Sequence, residues 1–282
     1  MSDNKQQSGK LPLSTSGMSP LDVAMEAARQ GGTVLMEHFH HAQLVRRKGK
    51  GNITTDADML SEKTILMLLR REYPSHNIIA EESGNSASDS PFTWTVDPLD
   101  GTNNFMFGYP FFCCTVGFIA GGNVVAGATY DPIRKEMFSA QVGKGAFLNG
   151  ISIAVSPRGS LEKSLVAADL GYDQQGGLNT LDVCRVLWRR VHSVRIVGSA
   201  ALELAYVACG RADLYLHQCL YPWDIAGGIL LVREAGGTVT DWEGSPADYT
   251  THKIVAGSGA VHKEFMATYA GIAKSLPVQM PD

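Results

Sequence analysis

The chain has 282 residues, 44% hydrophobic and 18% charged, with a mean hydropathy of -0.04. That is apolar matter for a sizeable core, too little charge for a disordered chain, and too great a length for a small disulfide-stapled scaffold. Lys plus Arg 24 against Asp plus Glu 28 gives a formal charge of -4, so no electrostatic footprint for nucleic acid is present and no nucleic-acid partner is expected.

The five cysteines, Cys113, Cys114, Cys184, Cys209 and Cys219, are odd in number and show no Cys-x-x-Cys spacing. Neither a disulfide framework nor a zinc knuckle is indicated, which points to a reducing, cytoplasmic setting. Residues 1–19 are polar, with Leu11, Leu13 and Met18 as their large apolar residues, and read as a loose, disordered leader without a signal-peptide core. The uncharged run Phe111 to Tyr130 has membrane length, but Gly121-Gly122-Asn123 divides it into two strand-like halves. It predicts a buried β-hairpin and no membrane span.

In chain order, Ser19-Pro20 gives an N-cap and first-turn signal for a long helix to about Phe39, with Leu21, Ala24, Ala28 and Leu35 at helical spacing. The basic run Arg46 to Lys50 reads as a turn before Thr55, which caps a second helix ending at Pro74. Short apolar runs at 77–80 and 92–96 predict strands, and 113–153 reads as a meander punctuated by Gly, Asp-Pro and Asn-Gly turns. After about residue 160, strands at 165–168, 194–197, 212–216, 238–240 and 254–256 alternate with helices at 178–190, 200–209, 224–235 and 261–274. The expected organisation is an N-terminal α+β half over 20–155 and a C-terminal α/β half over 156–282, joined in one body by a soft seam.

The chemistry concentrates in Trp94-Thr95-Val96-Asp97-Pro98-Leu99-Asp100-Gly101-Thr102, an apolar strand that ends in two aspartates and a Gly-Thr turn. Pro98 holds Asp97 extended, while Gly101 and Thr102 offer backbone N–H groups at a helix start, suited to phosphate. A phosphate dianion about 5 Å from a carboxylate costs roughly 6 kcal/mol at an effective dielectric near 20. The acids therefore imply divalent cations between them and the phosphate, and hard oxygen ligands suit Mg²⁺ or Mn²⁺ better than zinc. Turn and cap residues are the competing reading for this segment alone. Three further acidic spots weigh against it: Glu81-Glu82 after a predicted buried strand, where one acid is expected to be solvated and the other functional; Asp224 at the start of a Gly-rich helix; and Asp58 in the first turn of the second helix, where capping alone would suffice.

Together these segments resemble the inositol monophosphatase family of metal-dependent, lithium-sensitive phosphomonoesterases over residues 20–272. Asp97-Pro98-Leu99-Asp100-Gly101-Thr102 with Asn104-Phe105 is similar to its first signature, Trp223-Asp224 with Ala226-Gly227 to its second, and Glu81-Glu82-Ser83 and Asn52 to Asp58 to upstream landmarks. The resemblance implies a layered αβαβα sandwich of the sugar-phosphatase type, an α/β fold. It implies two to three Mg²⁺ ions, one held by Glu81, Asp97 and the Leu99 carbonyl, a second by Asp97, Asp100 and Asp224, and a weaker third near Glu81 and Asp58. Glu81, Thr102 and Asp58 are the implied catalytic residues, with Glu81 and Thr102 orienting a water for in-line attack. Gly101, Thr102, Ala200, His217, Asp100 and Asp224 are the implied substrate contacts. A small phosphate ester, foremost an inositol monophosphate, is the implied substrate, and a homodimer the implied assembly. Fructose 1,6-bisphosphate, histidinol phosphate or 3′-phosphoadenosine 5′-phosphate are alternative substrates, and a non-catalytic regulatory relative is the alternative of a different class.

One departure stands out. Inositol-cleaving relatives carry a glutamate seven residues before the second-motif aspartate, and here that position is His217. The histidines His38, His40 and His41 fall at a predicted helix end, where they suit the dipole better than a metal.

Overall fold

Ser19 and Asp22 cap the first helix reciprocally: the Asp22 N–H donates to Ser19 Oγ at 3.2 Å and the Ser19 N–H to Asp22 Oδ2 at 3.3 Å. The computed structural model describes residues 11–272. The elements in order are α1 (Pro20–His38), β1 (Leu44–Arg47), β2 (Ile53–Thr55), α2 (Asp56–Glu72), β3 (Asn77–Ala80), β4 (Gly84–Ser86), β5 (Phe92–Asp100), α3 (Thr102–Met106), β6 (Cys113–Ala120), β7 (Asn123–Asp131), β8 (Glu136–Gln141), β9 (Gly145–Leu148) and β10 (Ile151–Ile153). They continue with β11 (Leu165–Ala168), α4 (Gln174–Leu187), β12 (Ser193–Ile196), α5 (Ala200–Ala208), β13 (Leu214–His217), α6 (Pro222–Glu234), β14 (Gly237–Thr240), β15 (Ile254–Ser258) and α7 (Gly259–Ile272).

Two sheets form the frame, an eight-stranded one in the order β10-β9-β8-β7-β6-β5-β3-β4 and a five-stranded one in the order β12-β11-β13-β15-β14. Val23, Leu35, Ile65 and Leu69 of α1 and α2 pack with Trp94 and Phe118 on one face of the larger sheet. Leu204, Ile229 and Leu231 of α5 and α6 fill the space between the sheets, against Phe138 on one side and Tyr215 on the other. Val183, Val261 and Phe265 of α4 and α7 close the outer face of the smaller sheet with Val166 and Leu214. The result is the expected αβαβα sandwich. Both faces of β5 are covered, which is why its middle is buried at consecutive positions rather than alternately. The hairpin expected at 111–130 is β6 and β7, paired antiparallel at the sheet's centre, and among the described residues no helix is long and apolar enough to cross a membrane.

Three expectations need correction. Residues 11–19, read as part of a loose leader, lie against α2: the Thr15 N–H donates to the Glu72 carbonyl at 3.0 Å, Ser16 Oγ donates to Glu72 Oε2 at 2.6 Å, and Leu11 and Met18 pack on the α1–α2 cluster. Residues 1–10 lie outside the described residues. The start of the basic run is not a turn, since Arg46 and Arg47 belong to β1, which pairs antiparallel with β2 and leaves the turn to Lys48–Gly51. Finally, α4 begins at Gln174 rather than 178 because Asp173 accepts from the N–H groups of Gln175 and Gly176. The predicted end of α7 at 273–274 lies outside the described residues.

The Gly-rich start of α6 lets it approach the larger sheet backbone to backbone. A Cβ on Gly127 of β7 would stand 2.7 Å from the Gly227 Cα. This contact sets how far the first turn of α6, and Asp224 with it, lies from the end of β5. Gly127→Ala should therefore lower the unfolding free energy by roughly 1–3 kcal/mol in urea titration. Gly159→Ala, with open space around it, should stay within about 0.5 kcal/mol of the parent.

Candidate active site

Three residues apart on a regular strand, Asp97 and Asp100 would point to opposite faces. They do not, because β5 carries a bulge between them: Asp97 pairs with Thr115 of β6 and Asp100 with Cys113, three steps against two. Pro98 lies inside the bulge, and Asp97 Oδ1 accepts the Leu99 N–H across it at 3.0 Å. Both aspartates thereby reach one cleft of about 580 Å³.

Strand register delivers Glu81. β3 runs parallel to β5 with Ala80 beside Val96, and the Glu81 N–H donates to the Val96 carbonyl at 3.2 Å, so Glu81 leaves β3 where Asp97 leaves the core of β5. The turn is held from behind by buried Glu62, whose two oxygens accept the Glu82 and Ser83 N–H groups at 2.8 Å each. Glu82, expected as the solvated acid of the pair, is not solvated. Its side chain is 0% exposed, with Lys48 Nζ at 2.6 Å, Arg46 Nη2 at 3.0 Å and the Thr54 hydroxyl at 3.0 Å. Lys48 Nζ also stands 2.9 Å from Glu81 Oε1. Burial opposes the charge of Lys48, but the Glu81 and Glu82 carboxylates outweigh it and its pKa is raised.

Asp100 reaches into the other half. Its Oδ2 accepts from Ser199 Oγ at 2.6 Å and from the Ala201 N–H at 2.7 Å, and its Oδ1 accepts the Ala200 N–H at 3.2 Å. An acid from β5 thus sits on the N-terminus of α5, where orphan N–H groups favour negative charge. Asp224, in the first turn of α6, accepts the Tyr221 N–H at 2.7 Å, so it caps its own helix as well as lining the cleft.

The acids form a row with Asp97 in the middle, close enough to Glu81 on one side and to Asp224 on the other for a shared proton. Burial, then the charges of Glu81, Asp100 and Asp224, push Asp97 well above the usual carboxylate range. Burial likewise raises Asp224, with Glu81 and Asp100 adding to it. Among the described residues no three such side chains already surround one point. The donor set nonetheless fits a hard divalent ion: carboxylate oxygens and the nearby Leu99 carbonyl, without sulfur or imidazole. Glu81, Asp97, Asp100 and Asp224 would hold it.

Thr102 opens α3 and is 4% exposed. Its Oγ1 lies 3.0 Å from Asp58 Oδ1 and 3.0 Å from the Leu99 carbonyl oxygen, either of which accepts its single proton. Asp58 is a cap and a site residue at once: its Oδ2 accepts the Thr55 N–H at 2.8 Å and the Thr55 hydroxyl, while Oδ1 faces Thr102. Burial pushes Asp58 up to about 7 against the pull of those Thr55 bonds. Gly101 precedes α3 with φ 94°, and a Cβ there would come 3.0 Å from the Phe111 carbonyl oxygen and 3.2 Å from that of Gly198. Only glycine fits.

Ala200 and His217 also line the cleft, with the Ala200 N–H already given to Asp100. Sequence reasoning missed three groups. Lys48 was hidden in a basic run. Asp169 follows β11, with its Oδ1 accepting the Gly198 N–H at 2.6 Å and its Oδ2 the Tyr215 hydroxyl at 3.1 Å. Glu203, 2% exposed on α5, has one oxygen without a partner among the described residues; burial, then the charges of Asp169 and Asp100, push its carboxyl well above the usual carboxylate range. Tyr172 also lies on the cleft wall. The histidines at the end of α1 stay local, with His38 Nδ1 2.9 Å from the Val34 carbonyl oxygen.

These raised carboxyl groups make the metal-free fold bind more protons than the unfolded chain. Asp58 and Asp169 rise from about 3.8 to about 7 on folding, so their stabilising contribution is complete below pH about 4 and disappears as pH climbs through about 7. The melting temperature of metal-free protein should fall across that window, at roughly 2–4 °C per kcal/mol for a chain of this size. Asp58→Asn should flatten the fall, and millimolar Mg²⁺ should offset it.

A model of the inositol monophosphatase family matches residues 18–275. The chain is 40% identical over 254 residues to the inositol-1-monophosphatase of a Synechocystis species, covering 89% of this chain and 88% of that protein. It is 37% identical over 251 residues to Nus factor SuhB of Escherichia coli K12, covering 88% and 94%. The solved IMPase of Thermotoga maritima superposes with a TM-score of 0.83 at 32% identity, over 90% of this chain and 98% of that one. The chain belongs to the inositol monophosphatase family of metal-dependent phosphoric monoester hydrolases.

Proposed function

We propose that the chain hydrolyses a small phosphomonoester with Mg²⁺, an inositol monophosphate foremost. The observation that carries this reading is the acid row of Glu81, Asp97 and Asp224, with Asp100 beside it and the Thr102–Asp58 pair at the same cleft. When bound, Mg²⁺ supplies the positive charge that lets a phosphate dianion enter among carboxylates and polarises its oxygens. The Gly101 and Thr102 N–H groups hold phosphate oxygens. Asp58 takes the Thr102 hydroxyl proton in a hydrogen bond, which leaves a Thr102 oxygen lone pair to accept from the attacking water. Glu81 accepts that water's other proton. Asp100 and Asp224 stand on the side of the leaving group, where Asp100 is fixed by the N-terminus of α5. Ala200 and His217 flank the leaving group, and no side-chain nucleophile is required.

Inositol 1-phosphate, fructose 1,6-bisphosphate, histidinol phosphate and 3′-phosphoadenosine 5′-phosphate, each with Mg²⁺, with Mn²⁺ and with chelator, form the test. Phosphate release from inositol 1-phosphate that needs the metal supports the reading. Asp100→Asn should lose most turnover while keeping a cooperative melt, and near-full activity in that variant overturns the assigned roles. Asp58→Asn should cost about 10–100-fold in kcat, the usual scale for a group acting through another. Release from none of the four esters favours the second reading, a regulatory protein that keeps the fold, to which the relative named Nus factor SuhB gives support.

The proposed assembly is a homodimer in the cytoplasm. Light scattering should give twice the chain mass of 30.3 kDa. Millimolar Li⁺ should inhibit turnover by occupying the weaker acidic position near Glu81 and Asp58.

A further inference from the structure

The buried stripe of α2 changes character along the helix. Ile65, Leu68 and Leu69 pack in the cluster with Trp94 and Phe118. One turn nearer the N-terminus the same face carries Asp58, Ser61 and Glu62, all three buried. Polar side chains on a buried helix face cost free energy unless each finds a partner. Their partners are three separate turns of the cleft.

Thr102 Oγ1, at the start of α3, stands 3.0 Å from Asp58 Oδ1. Ser61 Oγ donates to the Pro98 carbonyl at 3.0 Å. Pro98 lies in the bulge of β5, where the register with β6 passes from Asp97–Thr115 to Asp100–Cys113, so Ser61 holds the backbone between the two aspartates. Glu62 accepts the N–H groups of Glu82 and Ser83, one on each oxygen at 2.8 Å. The Glu81 N–H is itself given to the Val96 carbonyl at 3.2 Å. The backbone of Glu81 is therefore fixed on one side by β5 and on the other by α2. Residues 58, 61 and 62 are neighbours on the helix surface and span about 6 Å of its axis at 1.5 Å per residue. A hydrogen-bonded helix does not stretch, so the turns attached to it keep their spacing.

We infer that Ser61 and Glu62 are positioning residues for the cation site: through them α2 sets the distance between the bulge that carries Asp97 and Asp100 and the turn that carries Glu81. The inference rests on the phosphatase reading above, and its test reads metal binding apart from turnover. Glutamine has nearly the size of glutamate but offers one oxygen where the turn presents two N–H donors. Alanine at 61 leaves the Pro98 carbonyl without its donor.

Mn²⁺ binding, followed by the electron paramagnetic resonance of the free ion, should weaken about 10–100-fold in Glu62→Gln and about tenfold in Ser61→Ala, the usual scale for groups that orient metal ligands. With inositol 1-phosphate the half-saturating Mg²⁺ concentration should rise by the same factors, while KM at saturating Mg²⁺ stays within about twofold. Glu72→Gln is the control for plain loss of stability. Glu72 is a buried acid at the far end of the same helix, where it accepts from Ser16 Oγ at 2.6 Å and the Ser16 N–H at 3.3 Å. That variant should melt at a lower temperature and bind Mn²⁺ as the parent does. If the parent releases phosphate from no ester, the phosphatase reading fails while the Mn²⁺ affinities still decide the inference. If Glu62→Gln does not melt cooperatively, Ser61→Ala decides alone. Parent-like Mn²⁺ affinity in folded Ser61→Ala or Glu62→Gln, an equal loss in Glu72→Gln, or no Mn²⁺ binding by the parent overturns the inference.

Discussion

Negative charge gathered in a buried cleft is the condition to which the rest of this molecule answers. Glu81, Asp97, Asp100 and Asp224 come from the end of β3, the bulge of β5 and the first turn of α6, and line one cleft. Each is pushed above its ordinary pKa, burial being the first cause in every case. Such a cluster costs folding free energy unless protons or cations offset it. The fold offsets part of it with Lys48 at Glu81, with the α5 N-terminus at Asp100, and with the Leu99 and Tyr221 N–H groups at Asp97 and Asp224.

Each half of the chain is incomplete at this point without the other. The larger sheet brings Glu81, Asp97 and Asp100 to its edge of the cleft, while α5 and α6, between the sheets, bring the groups that anchor Asp100 and the side chain of Asp224. Asn104 bridges the same seam, with Nδ2 donating to the Phe111 carbonyl at 2.7 Å and the Val197 carbonyl at 2.6 Å. A substrate bound here would touch both halves, so the relative placement of the two sheets sets the geometry of the reaction. Layers packed to interior density hold that placement firmly.

The two sides of the cleft differ in how strongly their chemistry is constrained. On the phosphate side, the bulge in β5, the left-handed Gly101 and the Thr102–Asp58 bond interlock, and any one change disturbs the others. On the leaving-group side, the walls are Gly171, Tyr172 and the ends of β11 and β13. Ligand sites of layered α/β proteins occur at the carboxyl ends of parallel strands, and here β3, β5, β11 and β13 all end at the cleft.

The sequence by itself determined the order of elements, the alternation that builds two sheets, and the acidic motifs with their implied affinity for hard cations. Those are local matters, governed by periodicity, caps and turn residues such as Ser19, Thr55 and Pro98. It also located Asp58 without fixing whether it caps a helix or serves the cleft, and only tertiary structure brings Thr102 Oγ1, across 44 residues of chain, within 3.0 Å of Asp58 Oδ1. Lys48 and Asp169 were invisible because a lone polar residue acquires meaning from what stands opposite it, and their partners lie far away in the chain. The facing of Asp97 and Asp100 was likewise decided by tertiary structure. Strand alternation would have parted them, and the bulge that brings them together exists only because β5 is paired with β6.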